Sequence, residues 1–149
     1  MKVGSKAPDF ELPDQDGQPV RLSDALKHGP VAIFFYPKDF TAVCTKEVCA
    51  FRDSYAELTE VTIFGISHDD VATHKRFQEA HRLPYSLLAD RERKVAALYD
   101  ASSLFGLHTS RVTYVIGRDS TVLTAFRHEL NAREHVERVR AALAQSAQR

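Results

Sequence analysis

The chain contains two cysteines, Cys44 and Cys49, which lie five residues apart in the stretch YPKDFTAVCTKEVC. Thiols serve as nucleophiles and redox centres, so this stretch is the first candidate for chemistry. Thr41 is a residue type that begins helices, and a helix beginning after it puts Cys44 in its first turn. Free backbone N–H groups and the positive end of the helix dipole favour the nucleophilic thiolate there. We therefore expect Cys44 to be the reactive thiol, delivered by a loop that Pro37 shapes by ending the preceding strand.

The second cysteine poses a question of geometry. On an intact α-helix, residues five positions apart have Cα atoms separated by roughly 8.6 Å. A disulfide needs Cα atoms within about 7 Å, so Cys44 and Cys49 either never bond or bond only when the helix opens. Taken alone, Cys49 has the ordinary interpretation of a small, partly buried residue. Thr41 also has two interpretations, because its hydroxyl either caps the helix or in addition orients the thiolate and a substrate oxygen.

The composition is that of one soluble globular domain, which we expect to span residues 1–149. Hydrophobic residues make up 44% of the chain and charged residues 27%, enough for a buried core and a charged surface. The 20 basic and 20 acidic residues cancel, which leaves no field to attract nucleic acid or an anionic membrane. Without a recognisable signal peptide or membrane-spanning run, we expect a cytoplasmic location, where a cysteine pair is more often redox-active than structural. We expect no cofactor and no metal.

Hydrophobic periodicity and turn residues predict the elements that carry the cysteine loop. An Asp16-Gly17 turn joins two short strands into an N-terminal hairpin, and Ser23 is placed to cap a brief helix after it. Apolar runs at residues 31–36 and 61–66 are typical of strands buried on both faces. The helix between these strands has an apolar stripe at helical spacing, made of Val48, Phe51, Tyr55 and Leu58.

The second half of the chain continues this alternation. Its helices are predicted from capping residues. Asp69 or Asp70 caps a helix ending at His81, and Asp90 caps one over residues 91–99. Asn131 with Glu134 caps a last amphipathic helix, whose apolar residues are Val136, Val139 and Leu143. The strand YSLLA lies between the first two, and strands at 111–116 and 121–126 form a second hairpin. The order predicts a thioredoxin-like α/β fold, with a mixed central sheet, helices on both faces and an N-terminal hairpin.

The string FFYPKDFTAVCTKEVC resembles the active-site signature of the peroxiredoxins: proline, three residues, threonine or serine, two residues, cysteine. Pro37, Thr41 and Cys44 occupy those positions. The resemblance is closest to the bacterioferritin comigratory protein (BCP) or PrxQ subfamily, whose resolving cysteine follows five positions later, as Cys49 does. It extends over most of the chain through APDFELPDQDG, GISHDD, LPYSLLADRERKVAALYD and SRVTYVIGRDSTV, where Arg111 matches the family's active-site arginine.

This resemblance implies an atypical 2-Cys, thioredoxin-dependent peroxidase that acts on hydrogen peroxide and organic hydroperoxides in antioxidant defence. Cys44 would attack the peroxide and become a sulfenic acid, assisted by Arg111, Thr41 and the loop that begins at Pro37. Cys49 would then form an intramolecular disulfide, which thioredoxin or a similar dithiol would reduce. Because resolution within one chain removes one need for a second subunit, we expect a monomer.

Three other functions fit the sequence less well. A thioredoxin-like thiol:disulfide exchange protein would carry a C-x-x-C pair, which is absent. A metal-binding module would draw on the seven histidines, but His74 and His81 have no evident acidic partner, and solvated surface histidines are the favoured interpretation. An interaction domain with a structural disulfide is disfavoured by the expected Cα separation of the cysteines.

Overall fold

The computed structural model describes residues 1–58, 61–102, 109–127 and 132–147 of the chain. The strands are β1 Glu11–Pro13, β2 Pro19–Arg21, β3 Val31–Phe35, β4 Thr62–Ser67, β5 Ser86–Ala89, β6 Val112–Ile116 and β7 Val122–Arg127. The helices are α1 Leu22–Leu26, α2 Ala42–Asp53, α3 Val71–His81, α4 Lys94–Leu98 and α5 Ala132–Ala147, and a short 3-10 helix, Tyr55–Glu57, follows α2. Within these described ranges, no helix is long and apolar enough to cross a membrane.

Five strands form one mixed sheet in the order β5-β4-β3-β6-β7. Strand β3 lies at its centre, parallel to β4 and antiparallel to β6, and β5 and β7 extend the sheet on either side. Strands β1 and β2 form a separate antiparallel hairpin, whose turn uses Gly17 at a φ of 76°. The predicted thioredoxin-like architecture is confirmed.

The alternation of side chains along β3 divides the core between the two faces of the sheet. Val31, Ile33 and Phe35 pack on the face covered by the hairpin, α1 and α4. Ala32 and Phe34 pack on the opposite face, which is covered by α2, α3 and α5. Because both faces are covered, β3 is apolar at every position, as its sequence predicts.

Close packing between β3, β4 and α2 requires a glycine at position 65. A Cβ on Gly65 would lie 2.7 Å from Cζ of Phe34 and 2.9 Å from Cδ2 of Leu87. The Phe34 ring in turn stacks on Phe51 of α2, with centroids 4.6 Å apart and planes at 8°. The missing side chain on β4 therefore makes room for the aromatic contact that seats α2 on the sheet.

Helix starts and ends account for several differences from the predicted elements. Ser23 does not cap α1, because the helix already begins at Leu22, and the Asp9 carboxylate accepts bonds from both the amide and the hydroxyl of Ser23. Asp90 does accept bonds from the amides of Val95 and Ala96, but α4 itself begins only at Lys94.

The structure confirms some of the other predicted helix caps and apolar helix positions and contradicts one. The Asp70 cap of α3 is confirmed by its bond from the Thr73 amide. The prediction for Tyr55 is wrong: α2 ends at Asp53, the tighter 3-10 turn shifts the helical phase, and Tyr55 is 37% exposed. Val136 and Val139 of α5 are buried, whereas the predicted Asn131 cap lies outside the described residues.

Candidate active site

Cys44 lies in the first turn of α2, where the chain arrives from β3. The helix begins at Ala42, so Cys44 is its third residue and Thr41 occupies the N-cap position, both as predicted. The Thr41 side chain makes no capping hydrogen bond to α2, however, and its hydroxyl instead donates to the carbonyl of Lys38 at 2.9 Å. The Thr41 oxygen therefore remains able to accept a further hydrogen bond.

The two thiols occupy different environments on one helix. Cys44 is fully buried in the apolar cluster that contains Val48 and Phe51. Cys49 is half-buried and packs at the edge of that cluster. Both thiols are free, and α2 is a continuous helix across them. Because an intact helix holds the two Cα atoms too far apart, a disulfide between these cysteines requires α2 to open.

Cys49 faces α3 and contacts its last residue. The Sγ atom lies 3.8 Å from Nδ1 of His81, while Nη1 of Arg52 donates to the His81 carbonyl at 2.9 Å. Burial raises the pKa of the Cys49 thiol, the nearby Arg52 guanidinium lowers it, and the Asp53 carboxylate raises it. Arg52 also pairs with Asp53 at 3.0 Å, so its charge is shared between the thiol, the carboxylate and the end of α3.

Arg111 immediately precedes β6 and is 8% exposed. In the antiparallel register of β3 and β6, Phe35 is opposite Val112. Continuing the same register by one residue places Arg111 opposite Tyr36, at the carboxyl end of β3. Pro37 begins the loop to α2 at this same end. The sheet thus brings Arg111 to the edge from which the loop to Cys44 departs.

A buried polar network lies beneath that loop. Asp39 accepts a bond from the Tyr36 hydroxyl at 2.5 Å, and its other carboxylate oxygen lies 2.6 Å from Nδ1 of His74. The Asp39 amide donates to Asp69 at 2.8 Å, and the Ser67 hydroxyl donates to the same oxygen. Burial raises the pKa of Tyr36 well above its usual range, and the Asp39 charge adds to this effect. The network fastens the loop to β4 and α3.

The proton on His74 can be assigned from its partners. Nε2 lies 3.1 Å from the Leu88 carbonyl, which only accepts, so Nε2 carries a hydrogen. A hydrogen bond between Nδ1 and Asp39 then requires one further proton, which lies between these two groups. The expectation of solvated histidines without acidic partners is wrong for His74, which is fully buried, and His135 of α5 is fully buried as well.

Asp39, Asp69 and His74 also have the residue types of a metal site. Their potential ligand atoms lie within 4.8 Å of one another, the one such group among the residues that the structure describes. Both His74 nitrogens and both Asp39 oxygens already make hydrogen bonds within the protein, as does Asp69. These atoms would have to give up their partners to bind an ion, so the group fits a hydrogen-bond network rather than a metal site.

A model of the AhpC/TSA family matches residues 3–125, which include both cysteines and Arg111. The chain belongs to the AhpC/TSA family. Among curated relatives, chloroplastic peroxiredoxin Q of Suaeda salsa is 42% identical over 140 residues, covering 92% of this chain and 65% of the relative. The chain thus spans just under two thirds of the length of that plant relative.

Solved structures of AhpC/TSA relatives agree with this assignment. The crystal structure of peroxidoxin BcpB from Mycobacterium tuberculosis is 41% identical, covers 97% of both chains and has a TM-score of 0.91. A Xanthomonas campestris bacterioferritin comigratory protein, studied for alkyl peroxide reduction, shares the fold with a TM-score of 0.84 at 23% identity, covering 97% of each chain. The resemblance to the BCP/PrxQ peroxiredoxins is confirmed.

Sequence reasoning missed three residues beside the AhpC/TSA signature. Asp39 lies within the cysteine loop but has no role in the signature, and its partner His74 is 35 positions away. His81 is predicted as a helix end and a solvated histidine, whereas it contacts Cys49 across 32 positions. A polar residue at a predicted core position is the one signal that the sequence offers, and it applies to His74, which shares the buried face of α3 with Phe77.

Proposed function

We propose that this chain is a thiol-dependent peroxidase in which Cys44 reduces hydrogen peroxide and organic hydroperoxides. A free thiol in the first turn of α2, directly after the loop over residues 37–41, is the observation that carries the proposal. The AhpC/TSA match and the peroxiredoxin names of the relatives support it. The helix terminus supplies free N–H groups and positive potential for a thiolate and for the charge that develops in the reaction.

In the first step, the Cys44 thiolate attacks one peroxide oxygen. A sulfur–oxygen bond forms and the O–O bond breaks. The departing oxygen takes the electron pair, together with the proton that the Cys44 thiol released on ionisation, and leaves as water or an alcohol. We assign to Arg111 the stabilisation of negative charge on that oxygen, and to Thr41 the acceptance of the peroxide hydrogen. Because Cys44 is fully buried, the loop that begins at Pro37 must open locally to admit the peroxide.

In the second step, Cys49 attacks the sulfenic acid on Cys44 and forms an intramolecular disulfide with loss of water. A dithiol protein of the thioredoxin type then reduces the disulfide by thiolate exchange. We propose that the protein does this as a monomer in the cytoplasm, although the plant relatives are named as chloroplastic. Light scattering on the reduced protein tests the monomer, since resolution within one chain needs no second subunit.

A thioredoxin-coupled peroxide assay tests both cysteine roles. We expect Cys44→Ser to lose turnover to the background level, because the nucleophile is gone. Cys49→Ser should retain one rapid turnover and then stop, because its sulfenic acid has no intramolecular partner. Steady peroxide consumption by Cys44→Ser would contradict the assignment of the nucleophile, and full recycling by Cys49→Ser would contradict that of the resolving thiol.

A further inference from the structure

The imidazole of His81 is in contact with the thiol of Cys49. Nδ1 lies 3.8 Å from Sγ, which is hydrogen-bond range for sulfur, and both side chains are partly accessible. For Nδ1 to accept the thiol proton, the neutral ring must carry its hydrogen on Nε2. A thiol beside an imidazole is the arrangement in which a histidine can remove the proton of a cysteine.

Packing holds this imidazole in position from several sides. The ring of Phe77, one turn earlier on α3, meets it edge-on with centroids 4.9 Å apart, and Phe40 lies at 6.4 Å. Arg52 binds the backbone carbonyl of His81, which ties the end of α3 to the helix that carries Cys49. The Arg52 contact uses a backbone atom, so it is independent of the side chain at position 81.

We infer that His81 is a catalytic residue of the resolution step, acting as the base that removes the proton of Cys49. This inference rests on the proposed function, because Cys49 must be the thiol that attacks the sulfenic acid. The role adds a third group to the resolution step, on a different helix from the two cysteines.

The chemistry balances without any additional reactant. His81 takes the Cys49 proton, and the resulting thiolate attacks Sγ of the Cys44 sulfenic acid. The sulfur–sulfur bond forms as the sulfur–oxygen bond breaks, and the electron pair leaves with the hydroxyl group. The imidazolium returns its proton to the leaving hydroxide, which departs as water. The Cys49 sulfur rises by one formal oxidation level and the Cys44 sulfur falls by one, so no outside oxidant or reductant is needed.

The surroundings of the pair explain why a base is needed. Burial raises the pKa of Cys49, so its thiol is protonated at neutral pH. The charged groups that face it are Arg52 and Asp53 of α2, while the rings of Phe40 and Phe77 supply no charge. His81 lies in the last turn of α3, at the negative end of the helix dipole.

Rapid mixing with hydrogen peroxide separates the two steps. Cys44 sulfenic acid is trapped with a 1,3-dione and the disulfide is measured by mass spectrometry after acid quench. His81→Phe retains an aromatic ring but no nitrogen, and His81→Ala leaves space for added imidazole. His28→Phe, at an exposed histidine before β3, is the matched control.

We expect Cys44 oxidation in His81→Phe to stay within about twofold of wild type, while disulfide formation at pH 7 slows on the order of 100-fold. The deficit should shrink as the pH rises, because the thiol then ionises unaided, and imidazole should restore His81→Ala. Wild-type disulfide formation in His81→Phe, or a failure of imidazole to rescue His81→Ala, would overturn the role of His81. A wild-type protein that forms no sulfenic acid, or no Cys44–Cys49 disulfide, would instead overturn the proposed function and this role with it.

Discussion

At the scale of single residues, the two cysteines differ in what limits their reactivity. Cys44 lies in the first turn of α2, next to the helix N-terminus, but it is fully buried. Cys49 is half-buried on the side of α2 that faces α3, and its charge state depends on side chains rather than on the helix terminus. We therefore expect access to limit the first thiol and proton removal to limit the second.

The pKa of Cys49 leads to a prediction that can be tested in Cys44→Ser protein, where it is the remaining thiol. Because burial raises its pKa, less thiolate is present at any given neutral pH, and alkylation by iodoacetamide should be slower than for a free cysteine. The rate should climb with pH and level off only in the alkaline range. Arg52→Gln removes a charge that lowers this pKa, so alkylation at pH 7.5 should slow by about two- to fivefold.

Asp53→Asn is the matched variant, with the opposite expected effect on the alkylation rate. The Asp53 carboxylate raises the pKa of Cys49, so its removal should speed alkylation at the same pH. Alkylation rates that change in the same direction in both variants would show that altered exposure of the thiol, rather than charge, controls its reactivity.

At the scale of elements, the position of α2 depends on contacts at both of its sides. The stacked rings of Phe34 and Phe51 seat the helix on β3, and Gly65 leaves the space for them. The loop before the helix is fixed by Asp39, which binds Tyr36 on one carboxylate oxygen and His74 on the other. The loop is therefore tied to β3 and α3 at Asp39, even though Thr41 provides no side-chain cap.

Tyr36→Phe tests the contribution of this network to stability. The substitution leaves one buried oxygen of Asp39 without the hydroxyl that donates to it, so the free energy of unfolding should fall by about 1–3 kcal/mol. Tyr55→Phe, which removes the same hydroxyl at an exposed position, should change it by less than about 0.5 kcal/mol. Urea unfolding of both variants measures the difference. Equal unfolding free energies for both would mean that the network adds little to stability.

The sequence predicts these elements better than it predicts their contacts. Continuous apolar runs and a proline-to-threonine loop are local patterns, and they locate β3, β4 and the start of α2 correctly. The partnership of Asp39 with His74 and that of Cys49 with His81 each join separate elements, and each depends on how a helix packs against its neighbours. The Thr41 hydroxyl shows the same limit at short range, because the sequence does not reveal that it donates to the Lys38 carbonyl and makes no bond to the helix amides.

At the scale of the whole molecule, α2 is attached unequally along its length. Its second half is tied to other elements by polar contacts, since the Tyr85 hydroxyl donates to the Val48 carbonyl at 2.5 Å and Arg52 donates to the His81 carbonyl. Among the described side chains of its first half, Cys44 is held by apolar packing. If α2 opens to let the disulfide form, the first half should therefore unwind and carry Cys44 toward a Cys49 that stays beside His81.

Hydrogen exchange on the reduced and oxidised protein tests this division of α2. The amides of residues 45–49 donate along the first half of the helix, as Thr45 does to the Thr41 carbonyl at 2.9 Å, so they should exchange at least about tenfold faster after oxidation. The amides of Arg52 and Asp53 should stay protected in wild type, whereas Tyr85→Phe should spread the loss of protection toward them. Peroxide-treated Cys44→Ser serves as the control and should match the reduced protein. Identical exchange in both redox forms would refute the opening of α2, and loss of protection through Asp53 in wild type would refute an anchored second half.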